Sequence, residues 1–198
     1  MSSRSLLLLT GLLLPAALFA QSDIYQINYL SHLTAAGGLT ANVINITNAG
    51  TTGGTSPGGD ICANFYTFDA HEEIQSCCSC YTTPNGLYNV TGASFRNTLT
   101  GAVNDSLVVK MTATRPVGGS CDPTAPGGFA SGIRAWATKL HALPTGGYTV
   151  SETIFSNATL SASESFKLTS LCGFIGVAGS GSGICSSCRL GALAQPKL

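Results

Sequence analysis

Cysteines are the residues whose type and spacing first indicate chemistry in this chain. The segment EIQSCCSCYTTPNG, residues 73–86, has three within four positions, and GICSSCRLG, residues 183–191, adds a C-x-x-C pair. Thiolates at this spacing hold zinc, exchange disulfides or form structural crosslinks, and the compartment decides among these uses. The complete set is Cys62, Cys77, Cys78, Cys80, Cys121, Cys172, Cys185 and Cys188.

The first 20 residues have the build of a secretory signal peptide. Arg4 precedes an apolar run over residues 6–14, and small residues then lead to a predicted cleavage after Ala20. The run is shorter than the roughly 20 residues that a membrane-spanning helix needs. We therefore expect Sec-type export to the extracellular space or the periplasm, with no membrane span after signal removal.

An even number of cysteines behind an export signal favours disulfide bonds, and all eight are candidates. Their connectivity is not fixed, because eight cysteines allow on the order of 100 pairings. The alternative is a zinc or copper site built from two knuckles, Cys77 with Cys80 and Cys185 with Cys188. A redox role for the CSSC pair is less favoured, since no βαβ pattern surrounds it. No cofactor is predicted.

Enzyme motifs are absent from the sequence: it contains no G-x-S-x-G, no H-E-x-x-H and no EF-hand loop. His71 lies among acidic residues in DAHEE, where a solvated turn is favoured over a cation site or an acid–base pair. The sequence therefore favours a protein without enzymatic activity. A glycosidase pair stays open among the few carboxylates, which include Asp69, Glu72, Glu73, Glu152 and Glu164.

Charge is scarce, and this limits the possible partners. Charged residues make up 9% of the chain and the formal net charge is zero, whereas about 25% is typical. No basic run provides an electrostatic footprint for nucleic acid. A neutral surface rich in hydroxyl groups suits contact with copies of itself or with neutral glycans. Trp136, Tyr66 and Tyr81 are candidate residues for stacking on sugars.

These residues must be positioned by short strands separated by turn signals. The pattern predicts strands at 41–47, 61–68, 73–80, 87–90, 94–99, 106–114, 133–143 and 148–155. Ser161 and Glu164 have the spacing of a capping box, which predicts a helix over Ala162–Cys172. Residues 21–40 fit a helical turn and a strand equally well, and they could dock on their own domain or on a neighbour. The expected fold is an antiparallel β-sandwich of Ig-like or Greek-key type with one short C-terminal helix.

Pairing of 61–68 with 73–80 through a four-residue turn places Phe68 opposite Glu73. Cys62 then lies opposite Ser79, within reach of Cys78 or Cys80, so a local crosslink is one expectation.

Adjacent Cys77 and Cys78 point to opposite faces of their strand and must have different partners. The candidates are Cys172 in the helix, Cys121 in a loop, and Cys185 or Cys188 in the tail.

The pattern ICANxYxFD…CCSC…TPNGL, with GIRAWATKLHA and SLCGFI…GICSSC further along, resembles a group of uncharacterised secreted bacterial proteins. The likeness extends over most of the mature chain. It implies export and shared cysteines, and no known activity comes with it.

Together these observations predict a signal peptide, 1–20, followed by a single secreted β-rich domain, 21–198. Within this domain, 21–40 is the N-terminal segment and 161–188 is the helix with the cysteine-containing tail. The expected function is that of an extracellular structural or adhesive protein, with self-association or contact with an extracellular glycan polymer. A carbohydrate-binding module and a metal-binding or redox protein are the alternatives.

Overall fold

The computed structural model of the chain describes residues 23–51, 55–97 and 99–177. Within these ranges, two antiparallel sheets pack face to face, and a helix of 14 residues follows the last strand. The expected β-sandwich with a C-terminal helix is therefore confirmed. The predicted signal peptide and the tail cysteines lie outside the described residues.

The strands are numbered along the chain. The five-stranded sheet consists, from edge to edge, of β4 (Ile74–Thr82), β3 (Ile61–Phe68), β6 (Leu107–Thr114), β1 (Tyr25–Leu30) and β9 (Ser156–Asn157). The four-stranded sheet consists of β5 (Leu87–Thr91), β2 (Val43–Asn48), β7 (Ile133–Ala142) and β8 (Tyr148–Ile154). The helices are α1 (Gly38–Ala41) and α2 (Ala162–Ile175), with a 3-10 turn at Gly92–Phe95.

The ambiguous N-terminal segment forms a strand. β1 lies inside the five-stranded sheet, between β6 and the two-residue β9. Tyr25 and Ile27 face α2, while Leu30 packs between the sheets. Each face of this strand has its own apolar contacts, and this explains why the period of two prevails over the competing helical spacing.

Alternate residues of each sheet fill the space between the two sheets. In β6, Leu107, Val109 and Met111 are buried there, as the alternation of this strand predicts. β3 is buried at all eight positions because its second face is also covered. The larger core cluster comprises Leu30, Leu33, Ile44, Ile46, Ile61, Ala63, Phe65, Cys78, Cys80, Val90, Phe95, Leu107, Val109, Met111, Ala113, Ala130, Ile133, Ala135, Ala137 and Phe155.

A second, smaller core lies between α2 and the outer face of the five-stranded sheet. The predicted cap starts the helix, since the Ser161 hydroxyl accepts a hydrogen bond of 3.1 Å from the Glu164 backbone N–H. The helix then runs three residues further than predicted. The buried members of this cluster are Tyr25, Tyr66, Phe68, Cys77, Leu168, Cys172 and Ile175.

The predicted register of the β3–β4 hairpin is wrong by two residues. Cys62 pairs with Tyr81 instead of Ser79, and Phe68 pairs with Ile74 across an irregularity at Thr67 and Phe68. A shift of two keeps every side chain on its predicted face, whereas a shift of one would have reversed them all. Cys77 and Cys78 therefore do face opposite sides of β4.

The predicted strand at 94–99 is also wrong. The chain instead forms the 3-10 turn Gly92–Phe95, which buries Phe95 against Phe65 with ring centroids 5.9 Å apart. A Cβ at Gly92 would lie 2.6 Å from the Leu33 side chain, so a larger residue there would require this buried side chain to shift.

The TPNG segment, residues 83–86, forms the turn between β4 and β5. Asn85 adopts the left-handed conformation, with φ of 61°, as asparagine tolerates better than most residues. Gly86 is needed for space, because a Cβ there would lie 2.8 Å from the Thr83 carbonyl oxygen.

Candidate functional site

The two outer faces of the sandwich differ in what covers them. α2 and the loop over residues 115–131 lie on the outer face of the five-stranded sheet. On the outer face of the four-stranded sheet, none of the described helices or strands packs, although the His32 ring contacts Tyr148 at one end of β8, with ring centroids 5.6 Å apart. This bare face is formed by Leu87, Asn89 and Thr91 of β5, Val43, Asn45 and Thr47 of β2, Arg134, Trp136 and Thr138 of β7, and Tyr148, Val150, Glu152 and Ile154 of β8. Leu140 of β7 is only 6% exposed and is not part of it.

Trp136 lies near the middle of the bare face. The register places Asn89, Asn45, Trp136 and Ile154 directly opposite one another in a row across all four strands. The indole is half-buried, and Ile154 beside it is 80% exposed. Side chains directly opposite on one face have Cβ atoms about 5 Å apart, so this row forms a continuous surface.

A groove of about 520 Å³ runs beside Trp136. It combines an aromatic ring, an aliphatic residue, a guanidinium and a carboxylate, and this mixture suits a ligand with apolar faces and hydroxyl groups. Its lining residues are Arg134, Ala135, Trp136, Glu152, Thr153 and Ile154.

The two tyrosines predicted to share ligand binding with Trp136 do not lie on an accessible surface. Tyr66 is 1% exposed and donates a hydrogen bond of 2.8 Å to the Pro123 carbonyl oxygen. Tyr81 is 7% exposed and donates to the Asp60 carboxylate. Burial, followed by the hydrogen bond to Asp60, raises the pKa of Tyr81 to about 12. Both rings belong to the covered side of the five-stranded sheet.

Disulfide bonds account for the cysteines of the described region. Cys62 is bonded to Cys121 and Cys77 to Cys172. The expected local crosslink of Cys62 within the hairpin is therefore wrong, because its side chain faces outward beneath the 115–131 loop. The expected link from β4 to the helix is present as the bond between Cys77 and Cys172.

Cys78 and Cys80 point between the sheets and are also disulfide-bonded. Cys185 and Cys188 lie outside the described residues.

The predicted four-cysteine metal site does not assemble at β4. The Cys77 sulfur is bonded to Cys172 on the outer face, whereas Cys80 lies in the core between the sheets. Residues at odd spacing in a strand point to opposite faces, so Cys77 and Cys80 cannot converge on one ion. Among the described residues, no group of three or more His, Cys, Asp or Glu side chains could hold a metal ion.

The acidic DAHEE segment serves the turn between β3 and β4. The Asp69 carboxylate accepts hydrogen bonds from the backbone N–H groups of His71 and Glu73, at 2.9 and 3.0 Å, and from the Gln75 side chain. These contacts are those of an Asx turn, which gives this carboxylate a structural role.

Lys139 is a buried cation that the sequence reasoning missed. It is 1% exposed, and its Nζ lies 3.3 Å from the centroid of the Tyr29 ring. Burial lowers the pKa of this amine. A signal for this position was present, because strict alternation from Ile133 through Ala135 and Ala137 places residue 139 on the inward face.

Comparisons with family models, curated proteins and solved structures give no match for this chain. The resemblance drawn from its cysteine pattern therefore stays an expectation. Among the described helices, none combines the length and apolar character needed to cross a membrane.

Proposed function

We propose that this protein is an exported structural or adhesive component of an extracellular surface or matrix. The observation that carries the proposal is the contrast between the covered and the bare faces of the sandwich. One sheet is closed by α2 and two disulfides, while the other presents Trp136 and several exposed apolar side chains to its surroundings. The disulfides are compatible with an extracellular or periplasmic location.

Low charge supports a contact role. The formal net charge of zero leaves little electrostatic repulsion between copies or against a neutral polymer. The bare face itself carries Arg134 and Glu152 as its only charged residues among those described, and their charges are opposite. Contact through this face therefore depends on apolar area and hydrogen bonding.

The experiment is a pull-down of the purified, oxidised protein on cellulose, chitin, peptidoglycan and a bare polystyrene surface. We expect retention on at least one of these supports, and we expect Trp136→Ala to reduce it. Phe166→Ala is the matched control, because Phe166 is 73% exposed on α2, away from the bare face. Absence of retention on every support, together with a strictly monomeric protein in light scattering, would overturn the proposal.

A carbohydrate-binding module is the second candidate, and the groove beside Trp136 favours it. Its aromatic ring and adjacent hydrogen-bonding groups match the alternating apolar faces and hydroxyls of a sugar ring. A glycan array separates the two candidates. Selective binding to one glycan class, lost in Trp136→Ala and kept in Phe166→Ala, would favour the module. Binding without glycan preference would favour the adhesive protein.

A further inference from the structure

The described part of the sandwich has four edge strands, and three of them are short or occupied. β9 has two residues. β4 is buried at most positions, and its Gln75 side chain accepts hydrogen bonds from Asn97 and Asn104. β5 has five residues and leads directly into the 3-10 turn. Edges that are short or covered in this way are protected from pairing with another chain.

β8 is different, because it is seven residues long and pairs only with β7 among the described strands. Its sequence, YTVSETI, contains no proline, lysine or arginine, and its ladder with β7 is regular. Tyr148, Val150 and Ile154 are 44%, 55% and 80% exposed, respectively. A long, regular edge with exposed apolar side chains and a single charged residue, Glu152, is a template for strand addition.

The hydrogen-bonding groups of this edge point outward at known positions. The Phe155 N–H donates to the Ala135 carbonyl oxygen at 2.9 Å. Alternate residues of an antiparallel ladder bond to the same neighbour, so the odd-numbered residues of β8 bond to β7. The N–H and C=O groups of Val150 and Glu152 are therefore directed to the open edge.

We propose that β8 pairs with β8 of a second copy of this chain, antiparallel and related by a two-fold axis at Ser151. This register uses the whole strand. It places Tyr148 opposite Ile154 of the second copy and Val150 opposite Glu152 of the second copy. A two-fold axis at Glu152 would instead bring two carboxylates face to face, and like charges directly opposite one another are destabilising.

The pairing joins two four-stranded sheets into one sheet of eight strands, and both bare faces then lie on the same side. The inference deepens the proposed function, since it names a second copy as one partner of the contact surface. A dimer would carry Trp136 twice on a continuous platform, which increases the avidity for a repeating polymer.

The test is sedimentation equilibrium of the exported, oxidised protein over a dilution series. We expect a reversible monomer–dimer equilibrium. Val150→Glu places a carboxylate opposite Glu152 twice in the symmetric dimer, so we expect the dissociation constant to rise about tenfold or more. The double variant Val150→Glu with Glu152→Lys places opposite charges in these positions, and we expect it to restore dimerisation at low salt and less so at high salt.

Leu87→Glu is the matched control. Leu87 is 72% exposed on β5, at the opposite edge of the same face, and this variant is expected to dimerise like the unmodified protein. A thermal melt of each variant verifies that the domain remains folded.

A monomer at all concentrations, an equal effect of Leu87→Glu, or failure of the double variant to recover would each overturn the β8 inference. Retention of the monomer on a polymer through Trp136 would leave the proposed function standing. A protein that dimerises through β8 but is retained on none of the supports would leave the β8 inference standing and would remove polymer contact from the proposed function.

Discussion

The outer faces of the two sheets contain similar types of residues but differ in burial. Both alternate apolar and polar residues, and both contain aromatic rings. On the five-stranded sheet, Tyr25, Tyr66 and Phe68 are buried beneath α2. On the four-stranded sheet, Trp136 stays half-exposed. An apolar sheet face thus becomes core or contact surface according to whether a later segment of the chain is fastened over it.

Disulfide bonds as well as apolar contacts hold α2 and the 115–131 loop on the five-stranded sheet. Cys77 and Cys172 join β4 to α2, and Cys62 and Cys121 join β3 to the loop over residues 115–131. Lys110 and Glu164 add an ion pair beneath the helix, in which Tyr25 also participates through the Glu164 carboxylate. The four-stranded sheet has no disulfide among the described residues; its Arg134 forms an ion pair with the buried Asp23, which precedes β1 and does not cover the face.

Removing the disulfide that holds α2 over the five-stranded sheet should cause the largest loss of stability. We expect Cys77→Ala combined with Cys172→Ala to lower the free energy of unfolding by about 4–5 kcal/mol, the chain-entropy value for a loop of this length. The bond joins residues separated by 95 positions. Urea unfolding of the purified variant measures the change.

The other crosslink provides the control. Cys62→Ala with Cys121→Ala opens a separation of 59 positions and leaves the helix bond intact. Hydrogen exchange should show the amides of α2 losing protection in the first variant and keeping it in the second. Full protection of α2 without its disulfide would mean that apolar packing alone holds the cover in place.

A cavity beneath α2 should cause the next largest loss of stability. Leu168 is 1% exposed in the cluster under α2, and we expect Leu168→Ala to cost about 3 kcal/mol of stability. Phe174→Ala on the same helix is the matched control, because Phe174 is 65% exposed. Its change should stay within about 0.5 kcal/mol in denaturant unfolding. Equal losses in the two variants would contradict the assignment of the buried face.

Alkaline pH should weaken the covered side through its tyrosines. Burial raises the pKa of Tyr81 from 10.0 to about 12, and burial likewise raises the pKa values of Tyr25 and Tyr66. Between pH 10 and about pH 12, the Tyr81 hydroxyl keeps its proton in the folded state, whereas the unfolded state releases it. The contribution to stability is therefore complete below about pH 10 and decreases as the pH rises towards 12.

Guanidinium unfolding at several alkaline pH values measures this decrease, and absorbance of tyrosinate follows the titration directly. Tyr81→Phe should make the pH dependence shallower than in the unmodified protein. An identical slope in the two proteins would show that the Tyr81 hydroxyl does not titrate with the expected shift.

The smallest change in stability is expected for a substitution on the bare face. Ile154 is 80% exposed, and Ile154→Thr should change the free energy of unfolding by no more than about 0.5 kcal/mol when measured at low protein concentration. A loss above about 1.5 kcal/mol would show that this face is covered in the native protein. That result would remove the basis of the comparison between the two faces.

Sequence patterns predicted the elements well where local chemistry decides them. β3 has the predicted bounds because its residues favour strands and a strong turn follows. α2 begins after Ser161 because its cap is a contact between residues three apart. The strand expected at 94–99 does not form: Phe95 lies in a 3-10 turn and packs against Phe65, a contact between residues distant in the chain.

The candidate site was predicted less completely. Trp136, Tyr66 and Tyr81 were grouped by residue type, and only Trp136 lies on an accessible face. A strand pattern shows which residues share a face, but it does not show what covers that face. Similarly, the eight cysteines indicated crosslinks, whereas the partner of Cys62 depended on the path of the 115–131 loop.

The amino-acid sequence by itself determined that the chain would form short antiparallel strands, a capped C-terminal helix and disulfides. These properties arise from neighbouring residues and from the chemistry of the thiol group. Only the tertiary structure decided which sheet α2 covers, which cysteines meet and which strand remains an open edge. Those outcomes depend on contacts between distant segments, whose energies no local pattern contains.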